Sequence, residues 1–474
     1  MKSGIGGNTM GPAPANHDSA SARATTPGSP ADIVARIERL PVTRFHIKAR
    51  FIVGVATIFD GYDALMIAAV MPVLVGLWAI PPGKVGFLIS AANVGQLIGA
   101  LFFGWLADRI GRLKTLTLSV ALYSLAAFAC AFAWDYNSMA ILRFIEGLGL
   151  GGEVPVAAAY IGEMAKAKGR GRFFLLYESI FTLGLLGATV LGIFLVPAFG
   201  WQSMFFVGAL PALLTIVLRW QLPESARWLA DRGRAAEADR IVGDIEQMAR
   251  AAGQPLPEPS RSLAATANVT ASWSELFSDY YRRRTFCVWA LWFCDYFVSW
   301  GISGWAPTIY ATVFKLDYGT SMRYALATSV ASVVGGFTVA FLVDRTGRVK
   351  WFAGAFALAA AALLTLWWVG PYSATFVMCM LALAYFFIGS NSSMLFLYTA
   401  EIYPTRLRAR GTSTGTAFNR LSSSVGPPIV GATLAGFGLG SVYLLLGCVA
   451  LVGAIVAAAF AVETRERVME DVSP

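Results

Sequence analysis

The sequence predicts an all-α membrane protein with twelve transmembrane helices in two six-helix halves and both termini on the cytoplasmic side. Three observations carry this prediction. Of 474 residues, 57% are hydrophobic and only 14% are charged, with a mean hydropathy of +0.61, whereas soluble domains carry roughly 25% charged residues. Apolar runs of the roughly 20 residues needed to cross a bilayer recur along the chain. Finally, a set of charged motifs returns at half the chain length.

In chain order, residues 1–47 read as a cytoplasmic tail, mostly disordered, because residues 1–30 are rich in Gly, Ser, Ala, Pro and Thr and lack an apolar core. The charged stretch IVARIERLPVTRFHIKAR precedes the first apolar run, so the segment does not resemble a cleaved signal peptide. Residues 48–220 form the N-terminal half, with spans centred roughly on residues 62, 96, 123, 150, 185 and 211. The longest polar gap, residues 221–284, reads as a cytoplasmic loop. Within it Trp228, Leu229, Ile241, Val242, Ile245 and Met248 recur at helical spacing among charges, the pattern of short amphipathic helices. The stretch from Gly253 to Ser272, with Pro255, Pro257 and Pro259, reads as a flexible linker. Residues 285–463 form the C-terminal half, with spans centred roughly on residues 299, 332, 360, 387, 423 and 451. Residues 464–474 close the chain as a second cytoplasmic tail.

Charge sets the orientation. Alternate connections carry DRIGRLK, KAKGRGR, Arg282-Arg283-Arg284, DRTGRVK and RLRAR, while those between them hold only Lys84, Lys315 and Arg323. Basic residues collect on the cytoplasmic side. The net charge of +9 therefore reports topology, and no nucleic-acid partner is expected. Five cysteines fall inside apolar runs and read as packing residues, not as a disulfide framework.

Internal repetition defines the halves. Asp108-Arg-Ile-Gly-Arg112 returns as Asp344-Arg-Thr-Gly-Arg348, an offset of 236 residues (108 to 344). Glu163, seven residues before Arg170, returns as Glu401, seven before Arg408, at an offset of 238 (163 to 401). Asp60 has a counterpart in Asp295, at 235 (60 to 295). Parallel repeats of this kind place a binding site near mid-membrane, between the halves.

The run Gly104-Trp-Leu-Ala-Asp108-Arg109-Ile-Gly111-Arg112 resembles the signature loop of the major facilitator superfamily. Four further patches resemble its sugar-porter-like branch: Gly61-Tyr62-Asp63, Arg143 with Gly147, Gly149 and Gly151, Pro223-Glu224-Ser225-Ala226-Arg227, and Glu401-x-x-Pro404-x-x-x-Arg408-x-x-Gly411. The resemblance covers about residues 48–465. The chain departs from sugar porters where they carry sugar-binding glutamines, reading Tyr177-Glu178 in helix 5 and Trp292-Phe-Cys-Asp295 in helix 7. Asp60-Gly-Tyr-Asp63 instead resembles the paired aspartates of aromatic-acid:proton symporters.

That resemblance implies a proton-coupled symporter importing a small organic acid of a benzoate-like or nicotinate-like kind. A sugar or polyol symporter, or a metabolite or drug exporter of the same fold, stays open. Charged groups inside membrane spans are costly and usually face a cavity or a partner. Asp63 and Arg143 are implied to form a proton switch, with a permanent ion pair as the alternative. Asp60, one turn from Asp63, either shares the proton or holds the geometry. Glu146 lies one turn from Arg143 and reads as its neutralising partner, and Glu153 lies on the same face. Glu178 either joins the proton path, binds a ligand hydroxyl, or forms an internal salt bridge. Arg420, beside Asn419, is the candidate grip for a substrate carboxylate, because a guanidinium matches that planar group; the alternative is pairing with Asp295 or Glu178. Asp295, Tyr296, Tyr385, Asn391 and Ser392 combine polarity with mid-span positions and complete the candidate substrate site. Asp108, Arg109, Arg112, Glu163, Asp344, Arg345, Arg348, Glu401 and Arg408 resemble the family's cytoplasmic ion-pair latch and read as gating residues.

An enzyme is not expected. The only histidines are His17 and His46, both outside the spans, and no metal-ligand cluster is evident. No cofactor is expected beyond the proton gradient, and the expected state is a monomer in the bacterial inner membrane.

Overall fold

The computed structural model describes residues 29–164, 170–259 and 272–465, except for the side chains of residues 170–180 and a few scattered others. The remaining residues, including most of the N-terminal tail and residues 165–169, lie outside the description. Every regular element among the described residues is helical.

A first short helix, α1 (Pro30–Arg39), forms inside the expected tail. Its local sequence explains why. The Ser29 hydroxyl accepts a hydrogen bond from the Asp32 amide, Pro30 occupies the first turn, Asp32 sits at the N-terminal end and Arg36 and Arg39 at the C-terminal end. Each choice favours a helix in that direction.

The N-terminal half contains α2 (Arg44–Trp78), α3 (Pro82–Ile110), α4 (Arg112–Cys130), α5 (Tyr136–Met164) and α6 (Arg170–Phe199), followed by α7 (Gln202–Gly208) and α8 (Pro211–Gln221). Two loop helices, α9 (Ala226–Asp231) and α10 (Ala235–Ala251), fall where the amphipathic pattern places them. Glu246 on α10 receives Arg36 at 3.0 Å and Arg39 at 2.7 Å, while Arg227 on α9 reaches Glu38 at 2.7 Å. These pairs and the buried Ile33 and Ile37 seat α1 on the loop helices.

The C-terminal half contains α11 (Asp279–Ser303), α12 (Ala306–Thr312), α13 (Tyr318–Thr346), α14 (Arg348–Val369), α15 (Ala374–Ile402) and α16 (Thr405–Phe460). Ten helices among the described residues are long and apolar enough to cross a membrane. The difference from twelve has two causes. The run centred on 211 is interrupted before Pro211, which cannot continue the hydrogen-bond ladder of α7. The last two runs form one continuous element, α16, whose 56 residues would span about 84 Å if straight, far beyond a hydrocarbon core of about 30 Å. Gly438 breaks it into two limbs with φ 79° and ψ 178°, a conformation that glycine adopts without a side-chain clash.

Close helix crossings depend on missing side chains. A Cβ on Gly95 or Gly99 would lie 2.2 or 2.0 Å from α5 carbonyls, and one on Gly147 or Gly151 would lie 2.0 or 2.3 Å from α3 carbonyls. The spaced glycines thus let α3 and α5 touch backbone to backbone. Gly61 and Gly184 do the same for α2 and α6. All five cysteines are free; Cys379 and Cys448 are exposed, not buried as their apolar surroundings suggest.

The halves meet along α3 and α16 and along α2, α6 and α13. Asn93 and Ser90 donate to the Ser423 carbonyl at 3.0 and 3.4 Å. The Tyr318 hydroxyl donates to the Ala69 and Gly192 carbonyls, both at 3.1 Å. The starts of α3 and α13 share one face of the molecule, opposite the Asp108–Arg112 and Asp344–Arg348 turns.

Candidate functional site

The two helices that carry the first cluster, α2 and α5, hold it at the centre of the N-terminal half. Arg143, 1% exposed, donates through Nη1 to Asp63 Oδ1 at 2.9 Å and to Glu146 Oε2 at 2.7 Å. Its Nη2 also reaches the Asp63 carbonyl at 3.5 Å. Cys130 Sγ lies 3.6 Å from Glu146 Oε2. One guanidinium is therefore shared by two carboxylates. Asp63 Oδ2, Glu146 Oε1 and Arg143 Nε have no partner among the described residues.

Two turns along α5, Glu153 is fully buried with both carboxylate oxygens unpartnered among the described residues. Asp60, on α2, is buried as well, 5% exposed. Arg420 donates to Gln96 Oε1 at 2.5 Å, so α16 and α3 are bridged by a guanidinium–amide pair. The structure thus joins Gln96 and Arg420 across the boundary between the halves, with Asp60 and Glu153 buried in the N-terminal half. The sequence offers Asp295 or Glu178 as partners for Arg420; the structure pairs it with Gln96, and the Glu178 side chain lies outside the description. Gln96 was not singled out by the sequence, because one amide in an apolar run gives no signal until its neighbour across the boundary is known.

The C-terminal half holds a second buried polar group. Ser392 donates to Asp295 Oδ2 at 2.5 Å, and Asp295 Oδ1 has no partner among the described residues. Asn391, fully buried beside Ser392 in sequence, has neither amide atom partnered among the described residues. The Tyr385 hydroxyl accepts from Ser299 at 3.3 Å. Tyr296 stacks on Trp292 with ring centres 5.6 Å apart, and Trp292 is anchored by donating to Thr399 at 3.0 Å. Trp289 stacks on Phe418 at 4.8 Å, placing an aromatic pair one residue from Asn419 on the same helix as Arg420. Asn419 itself lends its carbonyl to Ser422 at 2.7 Å.

The candidate gating residues form two equivalent brackets, each confined to its own half. In the first, Arg112 pairs with Asp108 at 2.6 Å and Glu163 at 2.8 Å, and Ser225 donates to Glu163. In the second, Arg348 pairs with Asp344 at 2.9 Å and Glu401 at 3.0 Å, and Thr464 donates to Glu401 at 2.5 Å. The helix starts are also equivalent. Glu224 accepts from the Leu113 amide at 2.9 Å, and Glu463 accepts from the Arg348 and Val349 amides at 2.9 and 3.1 Å. Glu463 is held below the usual carboxylate range, because these amide bonds outweigh the cost of burial. Gly111 and Gly347 have φ of 112° and 87° and leave the space those carboxylates fill. The repeat therefore extends to Glu224-Ser225 and Glu463-Thr464, a correspondence hidden in sequence by the Ser-to-Thr change. Arg109 stacks over Trp105 at 4.2 Å, the Arg345 carbonyl accepts from Arg465 at 2.5 Å, and Arg408 donates to the Ala400 carbonyl at 2.8 Å. His46 bonds Thr43 at 2.9 Å and the Met164 carbonyl at 3.0 Å, a structural role at the start of α2. Among the described residues no cluster of His, Cys, Asp or Glu is arranged to hold a metal.

Comparison with known proteins places this architecture. The family described as sugar (and other) transporter matches residues 59–474. The chain is 34% identical to the niacin transporter of Acinetobacter baylyi, over 93% of this chain and 99% of that protein. It is 30% identical to a gallate transporter of Pseudomonas putida, covering 90% and 94%, and 30% identical to a 4-hydroxybenzoate transporter of Pseudomonas aeruginosa, covering 86% and 90%. Among solved structures, the E. coli xylose transporter in an inward-open conformation shares the fold with a TM-score of 0.67 at 19% identity, over 90% of this chain and 99% of that one. By family match and by relatives spanning most of its length, the chain belongs to the sugar (and other) transporter family of the major facilitator superfamily and is an integral, multi-pass membrane transporter.

Proposed function

We propose that the protein is a proton-coupled symporter that imports a small aromatic carboxylate, of the benzoate or nicotinate type, by alternating access. In this reading α7 with α8 forms the sixth span, the two limbs of α16 form the eleventh and twelfth, and both termini are cytoplasmic.

The observation that carries the proposal is the charge content of the buried centre. Asp60, Asp63, Glu146 and Glu153 stand against two guanidiniums, Arg143 and Arg420. Protein interiors do not hold an uncompensated surplus of carboxylates; such groups take up protons instead. The number of protons then depends on which carboxylate each arginine faces. When Arg143 leaves Asp63 for Glu146, Asp63 becomes the proton acceptor, and the return of Arg143 expels the proton. A substrate carboxylate arriving at Arg420 competes with Asp60 for the same guanidinium, which links substrate occupancy to protonation of Asp60 and its neighbour Glu153. The stacked pairs Trp292–Tyr296 and Trp289–Phe418 supply flat faces suited to an aromatic ring. The carriers of niacin, gallate and 4-hydroxybenzoate among the relatives support this substrate class.

The test is uptake by purified protein in liposomes under an imposed proton gradient, with nicotinate, benzoate and xylose as substrates. Gradient-dependent uptake of an aromatic acid is expected. Uptake of the sugar alone would overturn the proposal.

A further inference from the structure

A cleft of about 380 Å³ lies where the end of α13, the first half of α14, the middle of α15 and Arg465, beyond the end of α16, come together. Its mouth is ringed by Arg345, Lys350 and Arg465, and no acidic side chain among the described residues lines it. The acids nearby are engaged elsewhere: Asp344 and Glu401 hold Arg348, and Glu463 caps the start of α14. Arg345 and Lys350 have no ion-pair partner among the described residues. Behind this cationic rim the cleft turns apolar, with Trp351, Leu358 and Phe387 as its walls. Trp351 is fixed in place by donating to Ser390 at 3.0 Å. The floor is Gly354 and Ala355, and a Cβ on Gly354 would meet nothing within 4 Å. At the repeat offset of 236, the counterpart of Gly354 is Leu118. The other half therefore carries a leucine where this one leaves a gap.

We propose that this cleft binds the headgroup of an anionic phospholipid from the leaflet on the arginine-rich face, its phosphate held by the cationic rim and its first acyl carbons lying along Trp351, Leu358 and Phe387. Clusters of arginine and lysine at the edge of the hydrocarbon region attract anionic headgroups, and basic pockets between spans hold them specifically. Inorganic phosphate shares the charge but has nothing to place against the apolar walls.

Native mass spectrometry and thermal unfolding in mild detergent distinguish the two. The probes are phosphatidylglycerol, phosphatidylcholine with the same chains, and inorganic phosphate. Phosphatidylglycerol is expected to bind about tenfold more tightly than phosphatidylcholine and to raise the unfolding temperature, with phosphate alone giving no shift. Lys350→Ala should weaken phosphatidylglycerol binding about fivefold. Gly354→Leu should fill the cleft and abolish the preference for phosphatidylglycerol, with the lipid-free unfolding temperature unchanged. Equal affinity for the two lipids, unchanged phosphatidylglycerol binding in both variants, or a full shift with phosphate alone would each overturn the proposal.

Discussion

Replacing Asp63 by asparagine removes one of the two carboxylates that share Arg143 and leaves the other. Because Glu146 stays 2.7 Å from the guanidinium, the arginine is still neutralised. The loss is one charge-assisted hydrogen bond, about 1.5–3 kcal/mol, below the roughly 3–5 kcal/mol expected when a buried charge is stranded. Asp63→Asn should therefore fold and bind substrate. Its effect falls on coupling. A gradient of one pH unit is worth about 1.36 kcal/mol, or about tenfold accumulation, for each proton carried with the substrate. In proteoliposomes the wild type should concentrate an aromatic acid toward that limit. The variant should exchange internal for external labelled substrate at a comparable rate but reach no accumulation under the same gradient. Gradient-driven accumulation in Asp63→Asn equal to wild type would refute the switch and leave Asp63–Arg143 as a fixed structural pair.

Arg420→Ala should raise the half-saturation concentration for an anionic substrate roughly 10- to 100-fold, the equivalent of one charge-assisted bond, with normal expression; unchanged uptake kinetics would remove it from the substrate site. Asp108 and Glu163, the ion-pair partners of Arg112, both lie in its own half, so Arg112→Ala should slow turnover by loosening that half and leave half-saturation near wild type; a large rise in half-saturation with normal turnover would count against the bracket. Acid should release α1 from the loop helices. Burial opposes ionisation of Glu246, but its bonds to Arg36 and Arg39 outweigh this and hold its carboxyl below the usual range. Its contribution is thus present above the unfolded carboxyl pKa of about 4.3 and is lost as pH falls through the lower folded value. Hydrogen exchange in α1 should accelerate below that window and in Glu246→Gln at neutral pH; equal protection of α1 in that variant would contradict the assignment.

The parts of the fold legible in the sequence are those written in local chemistry. Apolar length marks the spans, and the Asp108–Arg112 and Asp344–Arg348 motifs mark the repeat, because each needs an arginine and a helix-breaking glycine at fixed spacing. Glu146 beside Arg143 was readable for the same reason, since three residues is one helical turn. What escaped depends on the meeting of distant segments. Gln96 acquires meaning only opposite Arg420 in the other half. The helix α1 reads as tail until Glu246, more than 200 residues later, supplies its charge. Boundaries failed where a span was not uniform: Pro211 divides one apolar run, and Gly438 bends another without any polar interruption in the sequence.

The contacts that join the halves have a bearing on how such a protein tolerates change. Apart from Arg420 with Gln96, each cross-half hydrogen bond described above ends on a main-chain carbonyl, at Ser423, Ala69 or Gly192. A carbonyl survives substitution of the residue that carries it. Mutational drift at Ser423 or Ala69 therefore leaves the seam chemically intact, provided that the helix keeps its path, whereas Gly192, where a Cβ would stand 3.2 Å from Met322 and 3.4 Å from the Tyr318 hydroxyl, and the donors Ser90, Asn93 and Tyr318 are exposed to loss. A seam built this way lets the lining of the central site diversify toward new substrates while the two halves go on recognising each other.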